Sequence, residues 1–263
     1  MLELQGISGG YDGLPLLDNI NLRFEAGSLV GVIGPIGCGK STLLRIMARL
    51  LQPYSGRLLL GGRDVSGISR LEYARQVSFL PQMRSVPNMT VQALALHGRH
   101  PYLSYPRRYR AGDHRAVEQA LELTGAARYR HRNVASLSGG ERQKAYLAMM
   151  VAQDTGLLLM DEPTTYLDIH HQFEILELAR SLARQGRLVV MVLHDLNLAL
   201  QYADQIVVMQ NGAVRACQDP EGICRAGLVD EVFEIETQVI AAGRGRQLLF
   251  EPRATPRNSR LPP

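Results

Sequence analysis

A glycine-rich segment with a single lysine, Gly34 to Thr42 (GPIGCGKST), has the residue types and spacing of a phosphate-binding loop. Its glycines let backbone N–H groups turn towards phosphate oxygens, and the helix predicted after it adds partial positive charge. We expect Lys40 to reach the β- and γ-phosphates of a nucleotide, and Ser41 to bind Mg²⁺. The candidate nucleotide ligands are Gly34, Pro35, Ile36, Gly37, Cys38, Gly39, Lys40, Ser41 and Thr42. The alternative is a plain glycine-rich turn, but the apolar run before the motif and the helical pattern after it favour a phosphate loop.

Three further apolar runs end in side chains that suit hydrolysis at such a loop. One run ends in Asp161 and Glu162, where the first carboxylate would hold Mg²⁺ and the second would act as general base on water. Gln82 ends another run and would contact both Mg²⁺ and the water. His194 ends the last and would bond the γ-phosphate, although a histidine at a strand end is more often a capping or core residue. Because ligands of open parallel sheets bind at the carboxyl ends of strands, we expect all four at one edge.

These side chains need a parallel sheet to bring them together. Residues 29–34, 76–82, 156–163 and 187–195 hold short continuous apolar runs, which are typical of strands buried on both faces. Helical patterns separate them, notably STLLRIMARLL and HQFEILELARSLARQ. The alternation predicts an α/β fold with a parallel sheet.

Other parts of the chain have different patterns. The first 30 residues alternate short apolar runs with turn residues and predict antiparallel strands. From about residue 83 to 151, helical spacing recurs without a buried-strand signal, so we interpret this part as a mostly helical insertion. A hairpin is predicted around Asn211-Gly212, and the last residues are rich in proline and arginine, which predicts disorder.

The segment SLSGGERQKAY begins as a helix that caps itself and then weakens its first turn. Ser138 and Glu141 fit a capping box, yet Gly139 and Gly140 each cost that turn roughly 1 kcal/mol relative to alanine. The glycines make sense if a phosphate approaches this helix start and takes Ser138 and backbone N–H groups as donors. A second phosphate-binding helix without lysine or a metal ligand is half a site. We therefore expect it to complete a site on another copy of the chain.

In these motifs the chain resembles the ATPase subunits of ABC transporters. Its LSGGE (Leu137 to Glu141) is similar to their signature sequence, GPIGCGKST to Walker A, LLLMDEP to Walker B and YLD (Tyr166 to Asp168) to the D-loop. Gln82 matches the Q-loop glutamine and His194 the switch histidine. Tyr11 stands where the family stacks an aromatic ring on adenine, and the alternative for it is an ordinary turn tyrosine.

The resemblance covers about residues 2–240 and implies one ATPase domain with the P-loop NTPase (RecA-like) fold. Such a domain has a mostly parallel sheet, an N-terminal antiparallel β subdomain and a helical subdomain, here inserted at about residues 83–151. A C-terminal strand and a basic tail would follow over residues 241–263.

The same resemblance implies how ATP is used. Two copies meet head to tail, and ATP lies between the Walker residues of one copy and Ser138, Gly139 and Gly140 of the other. Asp168 would link the two sites. Closure of the pair would exclude water and position the γ-phosphate for hydrolysis, and reopening would move the membrane subunits.

One subfamily resembles the chain more closely. The segments VAQDTGLLLMDEPTTYLDIHHQFEILEL, LHDLNLALQYADQIVVMQNG and MTVQALALHGRHPY are similar to ATPases of iron–siderophore, haem and cobalamin importers. The resemblance implies ferric siderophore import, with haem or cobalamin import as alternatives. It also implies two transmembrane permease subunits, an indirect periplasmic or extracellular substrate-binding protein, and a peripheral position on the cytoplasmic face of the inner membrane.

Two loop residues need separate expectations. Relatives often carry Asn where this chain has Ile36, and because the loop acts mainly through its backbone there, we expect little effect. Cys38 lies inside the loop, so we expect that alkylation of its thiol blocks ATP binding.

Composition agrees with a globular protein. Apolar residues are 46% and charged residues 21% of the chain, and no apolar run approaches the roughly 18 residues of a membrane span. The first residues lack a signal-peptide pattern and three cysteines lack framework spacing, so we expect a reducing, cytoplasmic environment. The net charge of +4 arises from the segment that begins at Arg244, so it does not indicate a nucleic-acid surface.

Other functions are open from the residues alone. A soluble ABC ATPase acting on DNA or ribosomes would carry long coiled coils or two ATPase units, whereas this chain has one phosphate loop and no sustained heptads, so we expect no nucleic-acid partner. A nucleotide-binding regulator would lack the base, whereas Glu162 is present. We expect no metal at the two histidine pairs, because no cysteine or carboxylate ligand accompanies them in the sequence. The pairs are His97 with His100 and His170 with His171.

Overall fold

The computed structural model describes residues 1–82, 85–242 and 245–252. Within them the strands are β1 (Leu2–Tyr11), β2 (Leu14–Phe24), β3 (Leu29–Ile33), β4 (Ser55–Leu60), β5 (Arg63–Asp64), β6 (Val77–Leu80), β7 (Leu157–Met160), β8 (Leu188–Val192), β9 (Gln205–Gln210), β10 (Ala213–Gln218), β11 (Ile235–Ala242) and β12 (Gly245–Pro252). The helices are α1 (Lys40–Met47), α2 (Arg70–Ala74), α3 (Val91–His97), α4 (Ala111–Leu123), α5 (Gly139–Ala152), α6 (Ile169–Arg184), α7 (Leu196–Tyr202), α8 (Pro220–Arg225) and α9 (Leu228–Phe233). No helix in this described part is long and apolar enough to span a membrane.

The central sheet has the strand order β10-β9-β3-β8-β7-β6, and its neighbouring pairs are parallel except for β9 with β10. Alternate residues of β3 face opposite sides: Leu29 and Ile33 belong to one hydrophobic core, and Val30 and Val32 to the other. Because both faces are covered, such a strand needs apolar side chains at every position. The predicted parallel sheet of doubly buried strands is confirmed, and the four predicted strands are β3, β6, β7 and β8.

A second sheet, of order β2-β1-β4-β5, is antiparallel and shares one core with the central sheet. Ile7 and Phe24 of this sheet, Leu43 of α1 and Val190 of β8 are all fully buried in that core. The predicted antiparallel N-terminal subdomain is therefore confirmed, with β4 and β5 as strands beyond those predicted.

Helices α3, α4 and α5 lie between β6 and β7 in the chain, in the part predicted to be helical. Gly98 at the end of α3 allows close packing on α5, because a Cβ there would lie 2.1 Å from an α5 carbonyl oxygen. Arg99 forms a partly buried ion pair with Asp113 of α4 (3.0 Å) and donates to the Ala152 carbonyl of α5 at 2.9 Å. One side chain thus joins all three helices. Met83, the expected start of the insertion, lies outside the described residues.

The hairpin between β9 and β10 turns at Asn211 and Gly212, whose φ angles of 49° and 79° agree with the predicted Asn-Gly turn. Gly212 N–H donates to the Cys38 carbonyl at 3.2 Å, and the Gly212 carbonyl accepts from Asp18 N–H at 3.0 Å. A Cβ at position 212 would lie 2.2 Å from the Leu16 carbonyl oxygen, so glycine is required. The turn therefore joins the glycine-rich loop to the N-terminal sheet.

The C-terminal part packs against α7. Strands β11 and β12 form an antiparallel hairpin, and the Asn197 side-chain amide of α7 donates to the Leu248 carbonyl (3.1 Å) and accepts from its N–H (2.7 Å). Leu248 is buried in the same core as the helices. The strand expected within residues 241–263 is the second strand of a hairpin that begins at Ile235. Of the basic tail expected in the same range, residues 253–263 lie outside the described residues.

Candidate functional site

The phosphate loop joins β3 to α1 and has a backbone shape that its glycines permit. At Gly34 a Cβ would lie 2.2 Å from the Met209 carbonyl oxygen, and Gly39 precedes α1 in the left-handed region with φ of 102°. The loop and the first turn of α1 contain Gly34, Pro35, Ile36, Gly37, Cys38, Gly39, Lys40, Ser41 and Thr42. Ile36 is 93% exposed, so its side chain does not fill the loop.

Lys40 is buried beneath its own loop. Its Nζ donates to the carbonyl oxygens of Gly34 (2.7 Å) and Pro35 (2.9 Å) and lies 3.8 Å from Cys38 Sγ. Cys38 is also buried, with 4% of its surface exposed. The lysine charge is thus held beside a helix N-terminus, a combination that suits an anion of high charge.

A hydroxyl and a carboxylate next to the loop form a pair of oxygen ligands. Ser41 Oγ donates to Asp161 Oδ1 at 2.9 Å, which joins the first turn of α1 to the end of β7. Asp161 is 2% exposed, and burial raises the pKa of its carboxyl above 3.8. The Glu162 carboxylate also raises this pKa, whereas the hydrogen bond from Ser41 lowers it. A buried carboxylate with a raised pKa favours a neighbouring cation, and hydroxyl and carboxylate oxygens are the ligand types that Mg²⁺ prefers.

These two side chains would not hold a cation without help. In the described ranges no three or more histidine, cysteine or acidic side chains are grouped as metal ligands. A magnesium ion beside Ser41 and Asp161 would therefore complete its shell with phosphate and water oxygens, as Mg²⁺ commonly does in nucleotide sites.

Glu162 is hydrogen-bonded to side chains that follow both neighbouring strands. His194 Nε2, after β8, lies 2.6 Å from Glu162 Oε1, and the Gln82 amide, after β6, donates to Glu162 Oε2. Thr165 Oγ1 lies 3.3 Å from the same Oε2. Glu162 itself has a φ of 51°, in the left-handed region that such residues rarely adopt. The backbone and three side chains thus orient one carboxylate, which suits a group that accepts a proton from water.

The predicted convergence at one sheet edge is what the structure shows. Gln82, Glu162 and His194 contact one another, and Asp161 joins them to the phosphate loop through Ser41. Their strands β6, β7 and β8 are adjacent and parallel, so the residues after each strand emerge side by side.

Tyr11 lies on the α1 side of this group. Tyr11 ends β1 and is 40% exposed, and its hydroxyl accepts a hydrogen bond from Arg45 Nη1 of α1 at 3.0 Å. The bond sets the position of the ring relative to the helix that follows the phosphate loop. Contact of this ring with adenine stays a prediction.

Helix α5 begins at Gly139 with the predicted capping box. Ser138 N–H donates to Glu141 Oε2 at 3.0 Å, and Glu141 N–H donates to Ser138 Oγ at 3.4 Å. The two glycines differ: Gly139 faces open space, whereas a Cβ at Gly140 would lie 2.6 Å from the His171 ring. Nothing within the chain requires glycine at position 139, where phosphate access stays a prediction, whereas the His171 ring requires glycine at position 140.

Asp168 is the N-cap of α6, and its Oδ1 accepts from His171 N–H at 3.0 Å. Close to it in the chain, Tyr166 is 97% exposed and Ile169 69% exposed. Among the described residues, no hydrogen bond or ion pair joins Ser138 or Asp168 to the phosphate loop. Within one chain the structure thus leaves Ser138, Gly139, Gly140 and Asp168 outside the group around Glu162.

Two neighbours of these residues were missed from the sequence. Thr165 contacts Glu162, and no sequence pattern marks it. His171 contacts both Asp168 and Gly140. Its only signal in the sequence is its place three residues after Asp168, the helix position whose N–H donates to an N-cap side chain.

Comparison with known proteins gives consistent matches. The ABC transporter family model matches residues 17–165. The chain is similar to the petrobactin import ATP-binding protein FpuD of Bacillus anthracis, with 42% identity over 263 residues that cover 95% of this chain and 96% of that protein. It is also 38% identical to the ferric enterobactin transport ATP-binding protein FepC of Escherichia coli, over 88% of this chain and 86% of that one. A solved metal-chelate type ABC transporter in an inward-facing conformation superposes with a TM-score of 0.82 at 25% identity, over 95% of this chain and 96% of that chain.

Proposed function

Because the chain belongs to the ABC transporter family, we propose that it is the ATP-hydrolysing subunit of an importer for a ferric siderophore. Similarity to a petrobactin and a ferric enterobactin import protein over most of the chain supports this class of cargo. The observation that carries hydrolysis is geometric: the Glu162 carboxylate is held between Gln82 and His194 at the edge of the phosphate loop. Haem and cobalamin are the alternative cargoes.

We assign ATP to a site shared by two copies of the chain in a head-to-tail dimer. The first copy would contribute Tyr11, Gly34, Pro35, Ile36, Gly37, Cys38, Gly39, Lys40, Ser41, Thr42, Gln82, Asp161, Glu162 and His194. The second copy would contribute Ser138, Gly139, Gly140 and Asp168. The open space at Gly139 and the exposed side chains of Tyr166 and Ile169 near Asp168 support a second copy on this face.

The chemistry follows from these positions. Mg²⁺ held by Ser41, Gln82 and Asp161 would neutralise charge on the phosphates. Lys40 would position the β- and γ-phosphates, and Glu162 would accept a proton from the attacking water. His194 would donate a hydrogen bond to the γ-phosphate, and closure of the second copy would exclude bulk water.

The assembly would include two transmembrane permease subunits, with the ATPase chains peripheral on the cytoplasmic face of the inner membrane. A substrate-binding protein outside that membrane would act indirectly. We assign residues 2–240 to a single ATPase domain with the helical part, about 83–151, inserted in it. Strand β12, which follows this domain, packs on its helix α7 through the hydrogen bonds between Asn197 and Leu248.

A growth experiment tests the cargo. A strain that lacks the gene would be grown with single ferric siderophores, haem or cobalamin as the required nutrient, and complemented with the wild-type gene or with Glu162→Gln. We expect growth on at least one ferric siderophore to depend on the wild-type gene and to fail with Glu162→Gln. Unchanged growth on ferric siderophores, with loss on haem or cobalamin alone, would move the assignment to that nutrient.

A further inference from the structure

His171 lies between two segments that the proposed shared site takes from the same chain. Its Nδ1 is 2.9 Å from Asp168 Oδ1 and 2.8 Å from Oδ2, and its backbone N–H donates to Oδ1. These bonds hold the pKa of the Asp168 carboxyl below 3.8. Because a carboxylate only accepts hydrogen bonds, the imidazole carries its proton on Nδ1.

The other side of the His171 ring covers the first turn of α5. A Cβ built on Gly140 would lie 2.6 Å from Cδ2, 2.7 Å from Nε2 and 2.8 Å from Cγ of this ring. Such distances mean that the ring packs directly on the glycine backbone. The His171 side chain is accordingly 23% exposed, whereas that of its neighbour His170 is 77% exposed.

Two more contacts join α5 to the same stretch of chain. Lys144 Nζ, with its side chain 8% exposed, lies 2.8 Å from Glu174 Oε2. The buried Gln143 amide donates to the Pro163 carbonyl at 2.7 Å. Contacts before, within and after the Asp168 turn therefore restrain α5 relative to the start of α6.

We propose that His171 is a positioning residue that sets the distance between Asp168 and the start of the signature helix at Gly140. The inference rests on the proposed function, in which both segments reach the nucleotide of the second copy. If one side chain spans them, a displacement of Asp168 is transmitted to the helix start, and the reverse. His171 needs no contact with ATP for this role.

Substitutions at position 171 separate the two contacts of the ring. His171→Asn keeps a donor close to the place of Nδ1 but loses the ring over Gly140, and His171→Phe keeps the ring but loses the bond to Asp168. His171→Ala loses both. His170→Ala is the matched control, because His170 is the adjacent exposed histidine. Its Nε2 lies 3.7 Å from Glu174 Oε1, and its ring lies edge-on to that of His171 with centroids 5.6 Å apart.

The measurements use the full-length chain. Steady-state hydrolysis against ATP concentration gives kcat and KM, binding of a fluorescent ATP analogue reports the phosphate loop, and thermal unfolding reports stability. We expect His171→Ala to lower kcat about tenfold with KM and analogue affinity within about twofold, since small misplacements of catalytic segments lower rates without loss of binding. His171→Asn and His171→Phe should each recover part of the rate, and His170→Ala should match the wild type.

A second test uses the contact at Gly140. Gly140→Ala keeps the backbone N–H but places a methyl group against the ring, so we expect it to lower kcat. When Gly140→Ala is combined with His171→Ala, the methyl group has room. We expect the relative kcat of the double variant to exceed the product of the relative kcat values of the two single variants. Multiplicative effects would contradict a direct linkage through the ring.

The experiments distinguish an error in the shared site from an error in the linkage through His171. If Ser138→Arg hydrolyses ATP normally, the shared site itself is wrong. If Ser138→Arg is inactive but His171→Ala keeps the wild-type kcat, only the linkage is wrong. If His171→Ala loses kcat, analogue binding and thermal stability together, and neither Asn nor Phe restores the rate, the residue is structural and the proposal is overturned.

Discussion

His194 Nε2 lies 2.6 Å from Glu162 Oε1, which joins the residues that follow two adjacent parallel strands. The Gln82 amide reaches the other oxygen of the same carboxylate from the strand on the opposite side. Neighbouring side chains therefore orient both carboxylate oxygens, and a substitution at position 162 removes the group that they share.

Replacement of the carboxylate by an amide should stop hydrolysis without loss of binding. Glu162→Gln keeps the shape of the side chain but cannot accept a proton from water, so we expect kcat to fall by about 100-fold or more. Copies of the variant should stay associated with ATP bound, as light scattering and phosphate release would show. Glu25→Gln, at an exposed carboxylate, is the control. Normal turnover in Glu162→Gln would remove the general-base assignment.

Ser138→Arg should separate binding from hydrolysis. A large cation at the signature helix start would block approach of the second copy, so we expect hydrolysis to be lost while the monomer binds ATP with unchanged affinity. The matched control is Ser69→Arg, because Ser69 also caps a helix and accepts from Glu72 N–H at 3.1 Å. If binding and hydrolysis fell together in Ser138→Arg but not in Ser69→Arg, the shared site would be in doubt.

Alkylation of Cys38 should be slow in the folded chain and should block ATP binding once complete. The thiol is 4% exposed and lies within the phosphate loop, so reagents reach it only when the loop opens. Mass spectrometry would compare labelling of residue 38 in the native chain, with and without ATP, and in denaturant. Cys38→Ala, treated in the same way, shows the effect of labelling elsewhere. Full ATP binding after complete modification of Cys38 would contradict the expectation.

Asp161→Asn should raise the stability of the chain in the absence of nucleotide and divalent metal. Burial raises the pKa of Asp161, so the folded state holds this proton more readily than the unfolded state, and stability falls as pH rises through the raised pKa. The amide removes that cost near neutral pH, and the difference should vanish as pH falls below 3.8. Thermal unfolding in chelator measures it, with the exposed Asp12→Asn as control. An equal or lower midpoint near neutral pH would show that the carboxylate is not penalised.

Asn197→Leu should destabilise the C-terminal hairpin. The change removes a donor and an acceptor from Leu248 and leaves its backbone groups without these partners, for which we expect a loss of about 1–3 kcal/mol in the free energy of unfolding. Denaturant unfolding followed by circular dichroism gives the value. An unchanged midpoint would mean that the hairpin contributes little to the stability of the domain.

Patterns that repeat along the chain predicted the fold well. The strands in the middle of the parallel sheet are covered on both faces and are therefore apolar, as Leu157 to Met160 illustrates. The carboxyl-end rule then placed Gln82, Glu162 and His194 together without knowledge of any contact. These inferences need only local composition and chain order.

Contacts between residues that are distant in the chain produce no repeating pattern in the sequence. The ring of His171 requires glycine at position 140, a constraint that the sequence pattern does not reveal and that is separate from the predicted phosphate access. The pairing of Asn197 with Leu248 joins a helix to the edge of a hairpin by one amide, which no periodicity reveals. Short helices such as α8 and α9 also lack the length over which a helical period becomes visible.

The turn at Gly212 has a consequence for how the chain opens locally. Its two main-chain hydrogen bonds run to Cys38 in the phosphate loop and to Asp18 in the N-terminal sheet. Both bonds are made by backbone atoms, so substitution of the Cys38 or Asp18 side chain removes neither donor nor acceptor, except for proline at position 18. Separation of the N-terminal sheet from the turn breaks the bond to Asp18 and removes a support of the turn that holds the loop through Cys38. We therefore expect the N-terminal sheet and the glycine-rich loop after β3 to open as one cooperative unit, although they belong to different sheets.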